Sequence, residues 1–194
     1  MKRVIPSILL AGSFLFFVAS CTKDRILDPI IIQETPNNPD SSEVISINEF
    51  LAIGSTLSSD VGVECDWIEL YNKSNSSFTM NAGEWFISDT PTDIEKFELP
   101  QKTLLAGEFL VLFCDDDGVN IIPANSPFIH LSFGLSSTAG ESVVLSHKVN
   151  GTTTIVDQKD FPTQTEANMS NARVPNGIGN WSYPVSPTPG DSNE

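Results

Sequence analysis

Apolar and polar positions alternate in short runs along most of this chain, and turn-forming residues separate the runs. Residues 44–50 (VISINEF) show the period of a strand with one buried face. Residues 67–71 and 84–88 have a similar character, and residues 109–114 are apolar on both faces, as expected of a central strand. Shorter runs of the same type occupy residues 95–99, 128–133, 142–145 and 153–156. Because no segment shows a convincing helical period, the pattern predicts about eight strands and an all-β domain.

The number and spacing of these strands also predict how they are layered. Short strands separated by turn residues are typical of two antiparallel sheets packed face to face. We therefore expect an immunoglobulin-like β-sandwich over residues 45–192. Trp67, Trp85 and Trp181 are its largest candidate core side chains, and each can bury a large area if its indole N–H finds a partner.

The first twenty residues have a different pattern. Lys2 and Arg3 precede an apolar run over residues 8–19, and small residues lead directly into Cys21. This is the layout of a secretory signal peptide, with an apolar stretch of roughly 7 to 15 residues, shorter than the ~20 needed to span a bilayer. The small residues before Cys21 resemble the lipobox of bacterial lipoproteins. That resemblance implies a signal peptide over residues 1–20, cleavage before Cys21, and membrane attachment through a lipid on Cys21.

Residues 21–44 connect this lipid to the first predicted strand. The segment contains Pro29, Pro36 and Pro39 among Asn, Asp and Ser residues, a composition that disfavours a packed core. We expect a flexible tether. Thr22 follows the cysteine where an aspartate would resemble an inner-membrane retention signal, so we expect an outer-membrane lipoprotein. Lys23-Asp24 faintly resembles the charged signals of surface-exposed lipoproteins in Bacteroidetes, which adds the cell surface as a further expectation.

The charge of the chain limits its partners. Its formal charge is −15, and removal of Lys2 and Arg3 with the signal peptide takes it to −17. A surface this acidic repels phosphate backbones. The basic residues form no cluster along the sequence, so we expect no nucleic-acid partner.

Residues that could carry catalysis or bind a metal are few. His130 and His147 are the only histidines, and neither has a second histidine at a zinc-binding spacing. The run Asp115-Asp116-Asp117-Gly118 could bind Ca²⁺ if other oxygens converge there, but no glutamate closes an EF-hand loop, and a solvated acidic turn is the competing interpretation. Apart from Cys21, the cysteines are Cys65 and Cys114, which are compatible with a disulfide or with two buried thiols. The sequence therefore predicts no metal site, no cofactor and no enzyme.

Several blocks in order resemble the bacterial version of the lamin tail domain over roughly residues 45–192. They are Ile47-Asn48-Glu49-Phe50, Asp66-Trp67-Ile68-Glu69-Leu70-Tyr71-Asn72, Gly83-Glu84-Trp85-Phe86-Ile87-Ser88-Asp89, Leu105-Ala106-Gly107-Glu108-Phe109-Leu110-Val111, Arg173-Val174-Pro175-Asn176-Gly177, and Thr188-Pro189-Gly190 with Trp181 before it. Asn171-Ala172 departs from the pattern, since a glycine is more usual before the arginine.

The resemblance implies a binding or scaffolding module, because bacterial relatives carry this domain beside secreted hydrolases. The expected partner is an unknown protein or glycan of the cell envelope. The alternative is a small Ca²⁺-dependent extracytoplasmic hydrolase or a Ca²⁺-dependent glycan-binding module. Glu49, Asp66 and Arg173 lie beside predicted core strands, and we expect structural ion pairing from them rather than catalysis, with a single charge cluster joining the chain ends as one arrangement.

Overall fold

The computed structural model describes residues 44–54, 57, 65–115 and 127–193. These residues belong to one compact unit of the chain, Asn38–Glu194. The predicted signal peptide, Cys21 and nearly all of the predicted tether lie outside the described residues. Within the described part there is no helix, and hence none long and apolar enough to cross a membrane.

The described residues form twelve strands, which confirms the predicted all-β class. In chain order they are β1 Ile45–Leu51, β2 Asp66–Asn72, β3 Phe78–Met80, β4 Trp85–Ser88, β5 Phe97–Glu98, β6 Lys102–Leu104, β7 Phe109–Cys114, β8 Ile129–His130, β9 Glu141–Val149, β10 Thr152–Phe161, β11 Ser170–Val174 and β12 Asn180–Val185.

The strands are arranged in three sheets. A six-stranded sheet has the order β12-β11-β1-β2-β7-β8, a four-stranded sheet has the order β10-β9-β4-β5, and β3 pairs with β6. Among the described pairs only β7 and β8 are parallel. The first two sheets are the layers of a β-sandwich, while its immunoglobulin-like plan stays a prediction.

One apolar cluster fills the space between the two layers. The six-stranded sheet contributes Ile45, Ile68 and Leu112, and the four-stranded sheet contributes Ile87 and Leu145, all fully buried. Met80 of β3 and Leu104 of β6 belong to the same cluster, so the small sheet closes one part of this shared core. Burial of apolar area at about 25 cal/mol per Å² is the main stabilising contribution that such a cluster makes.

The longest predicted strands are correct, but several boundaries differ. The predicted runs 142–145 and 153–156 are the central parts of one long hairpin, β9–β10. Asn150 and Gly151 connect these strands with φ values of +51° and +80°. Two successive residues with positive φ form the type I′ turn that suits a two-residue hairpin, and Asn-Gly is its most favoured pair.

Candidate functional site

The three predicted tryptophans are placed differently. Trp85 is buried in the shared core, and Trp67 is fully buried on the opposite face of the six-stranded sheet, where Leu51 and Phe113 are its cross-strand neighbours. The Trp67 indole N–H has no hydrogen-bond partner, which differs from the expectation that each indole would be paired. Trp181 is only partly buried, and the Arg173 guanidinium lies 4.7 Å from its ring centroid.

Arg173 does form a structural ion pair, but with Asp157 and not with Glu49 or Asp66. Its Nη2 donates to both Asp157 carboxylate oxygens at 2.8 and 3.1 Å, and its Nε donates to the Ile47 carbonyl at 3.0 Å. The Ile47 N–H donates to Asp157 at 2.9 Å. Ile47 borders a β-bulge in β1. The pair thus supplies hydrogen-bond partners for a backbone that the bulge takes out of the ladder, and it joins the edges of the two layers.

Glu49 lies opposite Glu69, which the sequence analysis did not single out. The two are cross-strand partners on β1 and β2, and both are fully buried. Ser170 Oγ and the Thr188 N–H and hydroxyl donate to Glu49. Glu69 accepts from Asn48 Nδ2 at 2.8 Å and from the Gly190 N–H at 2.6 Å. These two carboxylates therefore bind the last described residues, 186–193, to the six-stranded sheet.

Burial dominates the electrostatics of this carboxylate pair. It raises the pKa of Glu69 to about 7, with the neighbouring Glu49 charge acting in the same direction, and it also raises the pKa of Glu49. The donated hydrogen bonds oppose these shifts because they favour the ionised form. Asp66 lies apart from the pair: its carboxylate accepts the Leu135 N–H at 3.1 Å, and burial raises its pKa to about 6. The three predicted charged residues therefore serve three separate contacts.

Asp115 is the only part of the predicted Ca²⁺ run that the structure describes. Its Oδ2 lies 3.0 Å from His130 Nδ1, and its Oδ1 accepts from the Cys65 thiol at 3.6 Å, all three side chains being buried. Both oxygens are thus already engaged. No group of three or more metal-binding side chains occurs among the described residues. Asp116 and Asp117 lie outside them, so the loop interpretation stays a prediction.

Cys65 and Cys114 are free thiols in this fold, and both are buried. Burial raises the pKa of Cys65 to about 12, with the Asp115 charge adding to the effect, and burial raises that of Cys114 as well. Such thiols stay protonated and unreactive. Of the two alternatives left open by the sequence, the buried-thiol interpretation is the one that this structure contains.

A cleft lies where the small sheet meets the four-stranded sheet. We name it the β3–β4–β9 cleft. Its volume is about 280 Å³, and its lining includes Phe78, Asn81, Glu84, His147, Val149 and Asn150. A second depression of about 530 Å³ on the C-terminal segment is lined by Val185, Ser186, Thr188, Asp191 and Ser192, with no aromatic side chain. The first cleft combines aromatic and polar groups, as ligand sites generally do.

Two turns place the polar residues of the cleft. The β3–β4 turn has Gly83 at φ +77° and a hydrogen bond from the Glu84 N–H to the Asn81 carbonyl, which brings these two side chains together. Asn81 Nδ2 then donates to Glu84 Oε2 at 2.9 Å. The β9–β10 turn presents Asn150 from the other side. The sequence analysis did not single out Asn81 or Glu84 as site residues, although an Asn-Gly pair at 150–151 marks one of the two turns.

The floor of the cleft is aromatic. The His147 ring stacks on Trp85 with centroids 4.4 Å apart, and Phe78 meets Trp85 edge-on at 5.7 Å. Trp85 and His147 are almost completely buried, whereas Phe78 is half-buried and Val149 is 52% exposed. The apolar surface offered to a ligand is therefore that of Phe78 and Val149.

Comparisons with known proteins add no family to this picture. No protein-family model matches the chain, and no curated protein is significantly similar to it. The resemblance to the lamin tail domain consequently stays a prediction.

Proposed function

We propose that this protein is a lipid-anchored binding or scaffolding module of the cell envelope, with a lamin-tail-like domain and no catalysis of its own. In this proposal the lipid on Cys21 attaches the chain to the outer membrane, and the tether of residues 21–44 carries the domain toward its partner. The partner is a protein or glycan of the envelope. The proposal covers exposure on the cell surface as one placement of the domain.

The observation that supports binding most directly is the β3–β4–β9 cleft. Glu84 and Asn81 are held together by a hydrogen bond of 2.9 Å, next to a half-buried aromatic ring and the exposed Val149. Polar groups that the fold holds in place lose little conformational entropy when a ligand binds. The other buried polar groups described above serve structural contacts instead: Arg173 with the bulge of β1, Glu49 and Glu69 with the C-terminal segment, and Asp115 with His130 and Cys65.

Site-specific photocrosslinking in cells tests this proposal. A photoreactive residue at Val149 would face the cleft, and one at Ile155, on the same hairpin and 43% exposed, is the matched control outside its lining. We expect an envelope component to crosslink at position 149 and not at position 155. Equal capture at both positions, or no capture at 149, would contradict a binding role for the cleft.

A further inference from the structure

The polar groups of the β3–β4–β9 cleft are planar and bear both kinds of hydrogen-bonding atom. Asn81 and Asn150 each carry an amide with donors and an acceptor, and Glu84 carries a carboxylate that accepts. Glu84 Oε2 is engaged by Asn81, while Oε1 accepts no hydrogen bond from the part of the chain that the structure describes. A ligand with several adjacent hydroxyl groups, each of which donates and accepts, would satisfy such a set.

Size and apolar lining restrict the ligand further. A volume of about 280 Å³ lies just below the lower end of ordinary ligand pockets, so the cleft suits one small ring rather than an extended chain. Phe78 and Val149 offer apolar surface beside the polar groups. A pyranose ring has this two-sided character, with hydroxyls around its rim and C–H groups on its faces.

Local charge argues against acidic ligands. Lys148 lies in the lining, but its ammonium is paired with Glu95 at 2.7 Å and lies over the Phe86 ring, 5.5 Å from the centroid. Glu84 remains as a negative group within the cleft, and the whole chain carries a formal charge of −15. Sulfated, phosphorylated or uronic sugars would meet repulsion from both.

We propose that the β3–β4–β9 cleft binds one pyranose unit of an uncharged glycan, which packs on Phe78 and Val149 and hydrogen-bonds to Asn81, Glu84 and Asn150. This inference rests on the proposed binding function and names the class of its ligand.

Two variants remove polar groups from the cleft without disturbing the fold. Asn150 has φ +51°, a conformation that glycine adopts freely, so Asn150→Gly deletes the amide without backbone strain. Glu84→Gln replaces the carboxylate by an isosteric amide. Asn168→Gly, at φ +61° and outside the cleft lining, and Glu166→Gln, on an exposed residue, are the matched controls. Thermal unfolding of each variant checks that it is folded.

The experiment applies the detergent-solubilised full-length chain to an array of uncharged, acidic and basic glycans, followed by calorimetry with the strongest binder. We expect binding to uncharged glycans over acidic ones, weakened about tenfold by each cleft variant, as the loss of one good hydrogen bond implies, and unchanged by the controls. No glycan binding, a preference for charged glycans, or binding that survives both cleft variants would overturn the inference. Crosslinking of a protein at position 149 without glycan binding would leave the proposed function standing and remove only this inference.

Discussion

The paired carboxylates of Glu49 and Glu69 should make folding stability depend on pH in an unusual direction. Glu69 is fully buried, and its pKa is about 7, against an ordinary value of 4.5. The folded protein therefore keeps a proton on this carboxyl at pH values where the unfolded chain has released it. The stabilising contribution is fully present below about pH 4.5 and is lost as the pH rises toward 7.

The size of the effect follows from the shift. Each unit of pKa difference between the folded and unfolded states corresponds to about 1.4 kcal/mol, so Glu69 contributes at most about 3 kcal/mol to the change in stability between acid and mildly alkaline pH. Asp66, with its pKa raised to about 6, acts in the same direction. Glu95 and Asp160, whose pKa values are lowered by their hydrogen-bond donors, act in the opposite direction at lower pH. The contribution of Glu69 must therefore be isolated by substitution.

The assay is urea unfolding of the wild type and of Glu69→Gln at pH 5 and pH 8, followed by tryptophan fluorescence. We expect the free energy of unfolding of the wild type, relative to the variant, to fall by about 2 to 3 kcal/mol between these two pH values. Glu98→Gln, at an exposed position on β5, is the control and should show no such change. Parallel pH profiles for the wild type and Glu69→Gln would refute the reasoning, because the buried carboxyl would then titrate as it does in the unfolded chain.

Three further outcomes are expected. Trp67→Ala should lower the free energy of unfolding by about 3 to 5 kcal/mol in urea titrations, because the side chain is fully buried, whereas Trp67→Phe should cost less since it also removes an unpaired N–H; equal effects would contradict this placement. Arg173→Lys should cost about 1 to 3 kcal/mol by the same measurement, because one ammonium cannot contact Asp157, Ile47 and Gly179 together. Cys21→Ala should give an unlipidated chain, and mass spectrometry showing an unmodified Cys21 in the wild-type membrane fraction would disprove the anchor.

The fold was predictable where apolar periodicity alone decides the structure. The run over residues 109–114 is apolar enough to be a central strand, and β7 does lie between β2 and β8. Strands β11 and β12 were not predicted, because much of their sequence is polar. Ser170 and Arg173 of β11 are in strand conformation because distant partners, Glu49 and Asp157, bind their side chains. Such tertiary contacts override local patterning and cannot be read from a window of sequence.

The site was less predictable, for a similar reason. Glu69 interrupts the apolar run Trp67-Ile68-Glu69-Leu70-Tyr71, and a charge within a buried strand is a signal that it has a specific partner. The identity of that partner depends on the C-terminal segment, which is more than a hundred residues away along the chain. Arg173 was correctly expected to be structural, but the sequence offered no means of choosing Asp157 among the many acidic residues.

The buried polar network explains why the blocks that carry the family resemblance inform on the fold more than on the ligand. In Ile47-Asn48-Glu49-Phe50, Asn48 donates to Glu69 and accepts from the Gly177 N–H at 2.8 Å, while Glu49 binds Thr188. These polar side chains are needed to join the first strands to the last turn, whatever the domain binds. Asn81 and Asn150, by contrast, lie outside the quoted blocks and face the cleft. Proteins that share the blocks can therefore share the sandwich and its closure while differing at the cleft. It follows that the ligand must be sought with cleft variants such as Asn150→Gly, and not inferred from the blocks.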